Sequence, residues 1–168
     1  ELLKPLDKLL KYDGFAGWET QYWFTTAMFG AKKYSPWIAK ILKRYELVNP
    51  KKPITTDTFL KTVHSPSVYA KDIYNIELDG KTRVYGDNLF ATFAPEYFSP
   101  KHYLTGEEHI TENTIAFHHY ASTWHKRSEK AKNDLALAGF KTLGPRKYSK
   151  LEKGYNKSLE RKIRKELP

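Results

Sequence analysis

Leu3-Lys4-Pro5-Leu6-Asp7-Lys8-Leu9-Leu10, followed closely by Tyr12-Asp13-Gly14-Phe15-Ala16-Gly17-Trp18-Glu19, contains a change of hydrophobic period within one short stretch. Leu3, Leu6, Leu9 and Leu10 recur at helical spacing with Pro5 near the start, which predicts a short helix over 3–11. Gly14 to Gly17 break it, and Phe15-Ala16-Gly17-Trp18 reads as a strand or as a tight approach of two backbones.

The same mixture continues outward. Ser35 stands as a cap and Pro36 opens a helix, because Trp37, Ile38, Ile41, Leu42 and Tyr45 share one face. Asn49-Pro50-Lys51-Lys52-Pro53 is a loop, and Thr56–Val63 predicts another short helix. Ile73–Leu78 and Thr82–Tyr85 flank Asp79-Gly80, a hairpin signal. Leu89–Phe93 reads as a strand ending at Pro95, 114–119 as a further strand, and 124–139 as a helix stopped by Gly139 or by Gly144-Pro145. Mixed helices and short strands give an α/β or α+β class.

At 168 residues, 40% hydrophobic and 15% aromatic, the chain can bury one core of ordinary domain size. It has no cysteine, so no disulfide framework and no thiolate chemistry, which fits a reducing compartment. No segment approaches the apolar length of a membrane span, and no signal-peptide pattern opens the chain. Asn156-Lys157-Ser158 satisfies the glycosylation sequon, a triplet that arises readily by chance.

Charge is uneven. Residues 1–124 carry 15 Lys+Arg against 14 Asp+Glu, whereas 125–168 carry 14 against 5, so the net +10 is a property of the tail. There Leu151, Tyr155, Leu159, Ile163 and Leu167 recur every four residues with Lys and Arg on the remaining face, a pattern that Gly154 weakens. The reading divides the chain into 1–145 and a basic amphipathic helix at 146–168. Such a helix docks its stripe on the domain, attaches peripherally to an anionic membrane, or supplies sequence-independent affinity for nucleic acid. No base-reading motif accompanies it, so no specific nucleic-acid partner is expected.

Chemistry concentrates in Glu112-Asn113-Thr114-Ile115-Ala116-Phe117-His118-His119-Tyr120-Ala121-Ser122-Thr123-Trp124, where adjacent histidines end an apolar run before a tryptophan. Imidazole is the commonest metal-binding side chain. On a strand neighbouring side chains diverge, which favours one ligand and one structural partner over a shared metal. A hydrogen-bonded core histidine is the competing reading.

These residues carry a resemblance. The His-His-aromatic segment, the 3–19 passage, Ala27-Met28-Phe29-Gly30-Ala31 with Ser35-Pro36, and Pro95-Glu96-Tyr97-Phe98-Ser99-Pro100 are similar, in order, to motifs of the DXD-type glycosyltransferases of family 32. That family includes capsular-polysaccharide transferases and mannosyltransferase-like enzymes. Thr123 between Ser122 and Trp124 is a departure, as is Ile54-Thr55-Thr56 where the family often shows Gly-Pro.

The resemblance implies the C-terminal portion of a GT-A type nucleotide-diphospho-sugar transferase fold, with a sheet incomplete without the N-terminal half. The family's aspartate pair lies just before the Lys-Pro-Leu-Asp passage, and no Asp-x-Asp occurs here. The implied activity is retaining, metal-dependent transfer of a hexosyl group from a UDP- or GDP-sugar to a polysaccharide or lipid-linked oligosaccharide acceptor, in polysaccharide biosynthesis. The implied cofactor is manganese or magnesium, contacted by His118 or His119. Glu19 would approach the reacting sugar; Gly17, Thr26 and Trp124 would contact donor or acceptor, Thr26 standing where the family has asparagine. Glu19 reads equally as a carboxylate opening a helix, and Asp13 as a turn former before Gly14. A noncatalytic carbohydrate- or partner-binding remnant is the alternative. The expected setting is cytoplasmic, at the inner face of the membrane, with a homo-oligomer or a complementary N-terminal half covering the open sheet edge.

Overall fold

In the computed structural model, which describes residues 1–48, 51, 54–120 and 127–166, the glycine-flanked segment Gly14–Trp18 is β1, a central strand. It lies in a four-stranded mixed sheet of order β2-β1-β4-β3, with β2 at Phe24–Ala31, β3 at Arg83–Tyr85 and β4 at Phe90–Phe93. β1 pairs antiparallel with β2, with a break in register between Ala16 and Trp18, and parallel with β4; β3 and β4 form an antiparallel hairpin. Every residue of β1 and β4 is buried, as strands covered on both faces must be.

Side-chain alternation sorts the core into two layers. Ala16, Trp18 and Phe90 pack with Trp37 and Ile41 of α1 (Pro36–Glu46) and with Tyr69 and Ala70 of α2 (Thr56–Tyr74). Phe15, Ala91 and Phe93 pack on the other face with Leu9, Ala116 and Phe98, the last belonging to α3 (Pro95–Phe98). Gly17 makes this second layer possible: a Cβ there would lie 2.3 Å from Phe98 Cδ2. α4 (Arg127–Leu143) and α5 (Pro145–Lys165) complete the chain, and Leu159 and Ile163 of α5 share a third cluster with Trp23 and with Val68 of α2.

α2 runs well past the helix expected at Thr56–Val63, even though Pro66 stands in its path. Proline removes the N–H that would bond the carbonyl four residues back. Here that carbonyl, on Thr62, accepts the Ser65 hydroxyl at 2.8 Å, so the helix continues without an orphaned acceptor. Thr55 caps its start, accepting the Thr58 N–H, and Asn75 ends it in the left-handed region.

Other expectations are corrected. Over 3–11 only a 3₁₀ turn forms, Asp7–Leu9. Ser35 occupies the cap position of α1, but its hydroxyl makes no cap bond and lies 3.4 Å from the Tyr74 hydroxyl. Asp79-Gly80 is a turn but not a hairpin turn, since α2 runs to Tyr74 and β3 pairs with β4 around Gly86-Asp87-Asn88-Leu89. Asp79 instead accepts from the Lys81 N–H and the Arg83 guanidinium. Residues 114–119 join no ladder: Ile115 and Ala116 donate to Tyr97 O, Leu3 and Lys4 donate to Ile115 O, and a single bridge joins Leu2 to Ala116. α4 passes through Gly139 and stops at Gly144, whose φ is +74°. Residues 124–126 of the expected helix lie outside the described residues.

The basic tail is helical as expected, and it docks. Leu159 and Ile163 are buried, while Arg164 pairs with Asp72 and Glu160, Lys71 with Glu160, and Glu166 with Arg44 and Lys61. The stripe is only half used, for Leu151 and Tyr155 remain 63% and 55% exposed. Leu167 lies outside the described residues. No helix among the described residues is long and apolar enough to cross a membrane.

Candidate functional site

Four elements leave a cavity of about 910 Å³ between them: the β1–β2 turn, the first half of α2, the first half of α5 and the segment Phe117–Tyr120. The turn is built by Thr20, whose hydroxyl accepts the Tyr22 and Trp23 N–H groups at 3.1 Å each, while the Glu19 N–H donates to Trp23 O at 2.9 Å. This places Glu19 just past the buried strand, at the cavity wall, and not at a helix start. Burial pushes its carboxyl up to about 7, opposed in part by the Thr25 hydroxyl. Near neutral pH Glu19 is therefore divided between acid and carboxylate, the condition for moving a proton in either direction.

The two histidines both line the cavity but keep different company. The His118 ring lies 4.0 Å from that of Tyr120; its Nδ1 is buried with no hydrogen-bond partner among the described residues, and burial holds the imidazole below its ordinary range. His119 sits 4.6 Å from the Phe117 ring, and its Nε2 is 3.1 Å from Glu1 Oε2, both side chains being exposed. Alternation thus survives as pairs two apart, 117 with 119 and 118 with 120, although the ladder that suggested it is absent.

Opposite them lie residues that sequence reasoning missed. His64 of α2 stacks on Trp23 at 4.6 Å and 22°, and burial lowers its imidazole to about 4, so the ring is neutral across the physiological range. Trp23 in turn donates its indole N–H to Asn156 Oδ1 at 2.8 Å, a buried bond. The Asn156 of the sequon is therefore occupied inside the protein. Tyr103 donates to Glu152 at 3.1 Å, and Tyr148 and Tyr155 add further rings to the wall. Leu151 and Tyr155 were visible as half of an apolar stripe; nothing in the spacing of His64 or Tyr103 marks them.

Of the residues singled out in the sequence, Glu19, Thr26, His118 and His119 converge on this one cavity from three stretches of chain. Gly17 does not reach it and serves to admit Phe98. Trp124 lies outside the described residues. Asp13 is 2.5 Å from Lys32 Nζ, at the far end of β1. Among the described residues no three His, Asp or Glu side chains gather where a cation would sit, so these residues alone do not build a divalent-metal site. No protein-family model matches the chain, and neither a curated protein nor a solved structure matches it.

Proposed function

We propose that the chain is the C-terminal portion of a sugar transferase of the GT-A type, and that the cavity holds a hexosyl group of a nucleotide sugar beside an acceptor hydroxyl. The observation that carries this reading is the convergence of Glu19, Thr26 and His118 on one cavity walled by tyrosines. Flat apolar sugar faces stack on such rings, while a few polar groups fix orientation. In the transfer, the bond from the anomeric carbon to the diphosphate oxygen breaks, the acceptor oxygen takes its place, and the acceptor proton leaves. Glu19, poised near neutrality, accepts a hydrogen bond from a sugar hydroxyl and can hold that proton. His118, kept neutral by burial, donates an N–H toward the departing diphosphate.

A bound divalent metal supplies stabilisation of the leaving diphosphate in chemistry of this kind. The described residues do not assemble its ligands. The same observation favours a second reading, a noncatalytic carbohydrate-binding protein that keeps the cavity without turnover. The fold reading places further strands at β2, an edge strand with no charged residue in its length.

Calorimetric titration of UDP- and GDP-hexoses, with and without manganese, followed by a transfer assay, separates these readings. Binding with turnover that falls at least about tenfold in His118→Ala, and not in His125→Ala, supports the transferase. Binding without turnover assigns the noncatalytic reading; equal turnover in both variants removes His118 from the site, and no response to any nucleotide sugar overturns the proposal.

A further inference from the structure

The cavity carries charge of the sign opposite to that of the chain. Although the net charge is +10, no Lys or Arg among the described residues lines the cavity, whereas Glu1, Glu19 and Glu152 do. Glu1 is engaged with His119. Neither Glu19 nor Glu152 has a cation paired with it among the described residues. Glu152, on α5, accepts the Tyr103 hydroxyl at 3.1 Å, and a carboxylate has room for further donors. Partial burial, then the charge of Glu152 and to a smaller extent that of Glu19, raise the Tyr103 hydroxyl above the ordinary phenol range, so both carboxylates reach one ring.

Much of the remaining wall is aromatic. Trp23, Tyr120 and Tyr148 line it, and Tyr155 stands with Leu151 at its exposed rim. His64 adds no positive charge, since burial keeps its imidazole neutral, and its Nδ1 is buried without a hydrogen-bond partner among the described residues.

This combination rewards one ligand chemistry. The face of an aromatic ring attracts a cation, a carboxylate without a counter-ion in a partly dry cleft attracts it further, and both repel an acid. A neutral hexose finds rings for its apolar face but leaves the field of the two carboxylates unanswered. A protonated amine on the sugar answers it with three N–H donors. Glu152 belongs to α5 and not to the Phe117–Tyr120 segment, which the transferase reading gives to the departing diphosphate, so it falls to the acceptor.

We infer that the cavity selects a saccharide bearing a free, protonated amine, with the ammonium group held by Glu152 and Glu19 and the sugar ring against the tyrosines. Resting on the sugar-transferase reading, the inference makes the acceptor an amino sugar that has not been acylated, and it disfavours uronic acids.

The test is calorimetric titration of the intact protein, at about pH 6.5 to keep the amine largely protonated, with three disaccharides of one skeleton. They are the β-1,4-linked glucosamine disaccharide, its di-N-acetyl form and cellobiose. Expected is binding of the free amine at least about fivefold tighter than either neutral analogue, an advantage that shrinks as salt is raised. Glu152→Gln should weaken binding of the amine about fivefold and leave cellobiose within about twofold, while Glu46→Gln, at an exposed acid of α1, should alter neither. Glu19→Gln combined with Glu152→Gln should abolish the preference, with circular dichroism confirming that the variant is folded. The comparison of the three sugars on the parent protein needs no substitution and decides the matter if a variant does not fold. Equal or tighter binding of a neutral analogue overturns the inference, as does a preference that survives the double substitution or an absence of binding by all three sugars. These titrations use no nucleotide sugar and read no turnover, so failure of the transferase reading would show in the transfer assay and not in the ratio of affinities.

Discussion

Glu19 is the residue at which burial and chemistry meet. Its folded-state carboxyl stands near 7 against an ordinary 4.5, because burial disfavours the charged form more than Thr25 favours it. The folded protein therefore holds this proton where the unfolded chain has released it, and stability contributed below about pH 4.5 is lost as pH rises through about 7. Glu19→Gln should remove that loss and raise stability at pH 8 by about 2 kcal/mol, a value reduced for the partial exposure of the group. Urea unfolding of both proteins at pH 5 and pH 8 measures it; an equal difference at the two pH values would mean that the carboxyl titrates normally. Gly17 teaches the converse, since a residue chosen for closeness to a ligand is instead the gap that Phe98 fills.

At the scale of elements, α5 shows how half a stripe can belong to the core and half to a surface. Leu159 and Ile163 are sealed against Trp23 and Val68, and the ion pairs from Arg164 and Glu166 to α2 and α1 lie at the same end. Leu159→Ala or Ile163→Ala should each cost about 2–5 kcal/mol, whereas Leu151→Ala, at the exposed rim, should stay within about 0.5 kcal/mol. Denaturant midpoints for the three variants decide whether α5 is integral to the domain; three neutral results would make it a separate tail. The period-four pattern announced the helix, but the pattern is the same for both halves, so sequence alone did not show where burial stops. α2 escaped for a different reason. Pro66 reads locally as a stop, and only the Ser65 hydroxyl on the Thr62 carbonyl, with Trp37 Nε1 donating to the Pro66 carbonyl at 2.8 Å, makes the continuation tolerable.

For the molecule as a whole, Glu19 and His64 face the same cavity with opposite titration slopes. His64, lowered by burial to about 4 from 6.5, contributes stability that is complete above about pH 6.5 and is lost as pH falls toward 4. Between about 4.5 and 6.5 the two slopes oppose each other. His64→Phe should leave the falling Glu19 slope exposed, so that stability declines from pH 4.5 to 7 more steeply than in the parent, and a stability–pH profile parallel to the parent's would show that the imidazole is not titrating as buried. Much of this architecture was legible in the chain: the strand at Phe15–Trp18, the strand at Leu89–Phe93, the helix opened by Pro36 and the helical tail all follow from local period and from proline and glycine placement. Glu19, Thr26, His118 and His119 were singled out on a resemblance to sugar transferases, and the structure brings them to one cavity. What the chain by itself determined was therefore the mixed α/β character and the elements whose side chains repeat with one period. Tertiary structure alone decided which strands became partners, that 114–119 would hydrogen-bond to Tyr97 and Leu3 instead of joining the sheet, and that His64, Trp23 and Asn156 would close the cavity across long separations in sequence. The physical reason is that periodicity records which face of an element is apolar, whereas a cavity is made by what several elements fail to fill once their apolar faces have found each other.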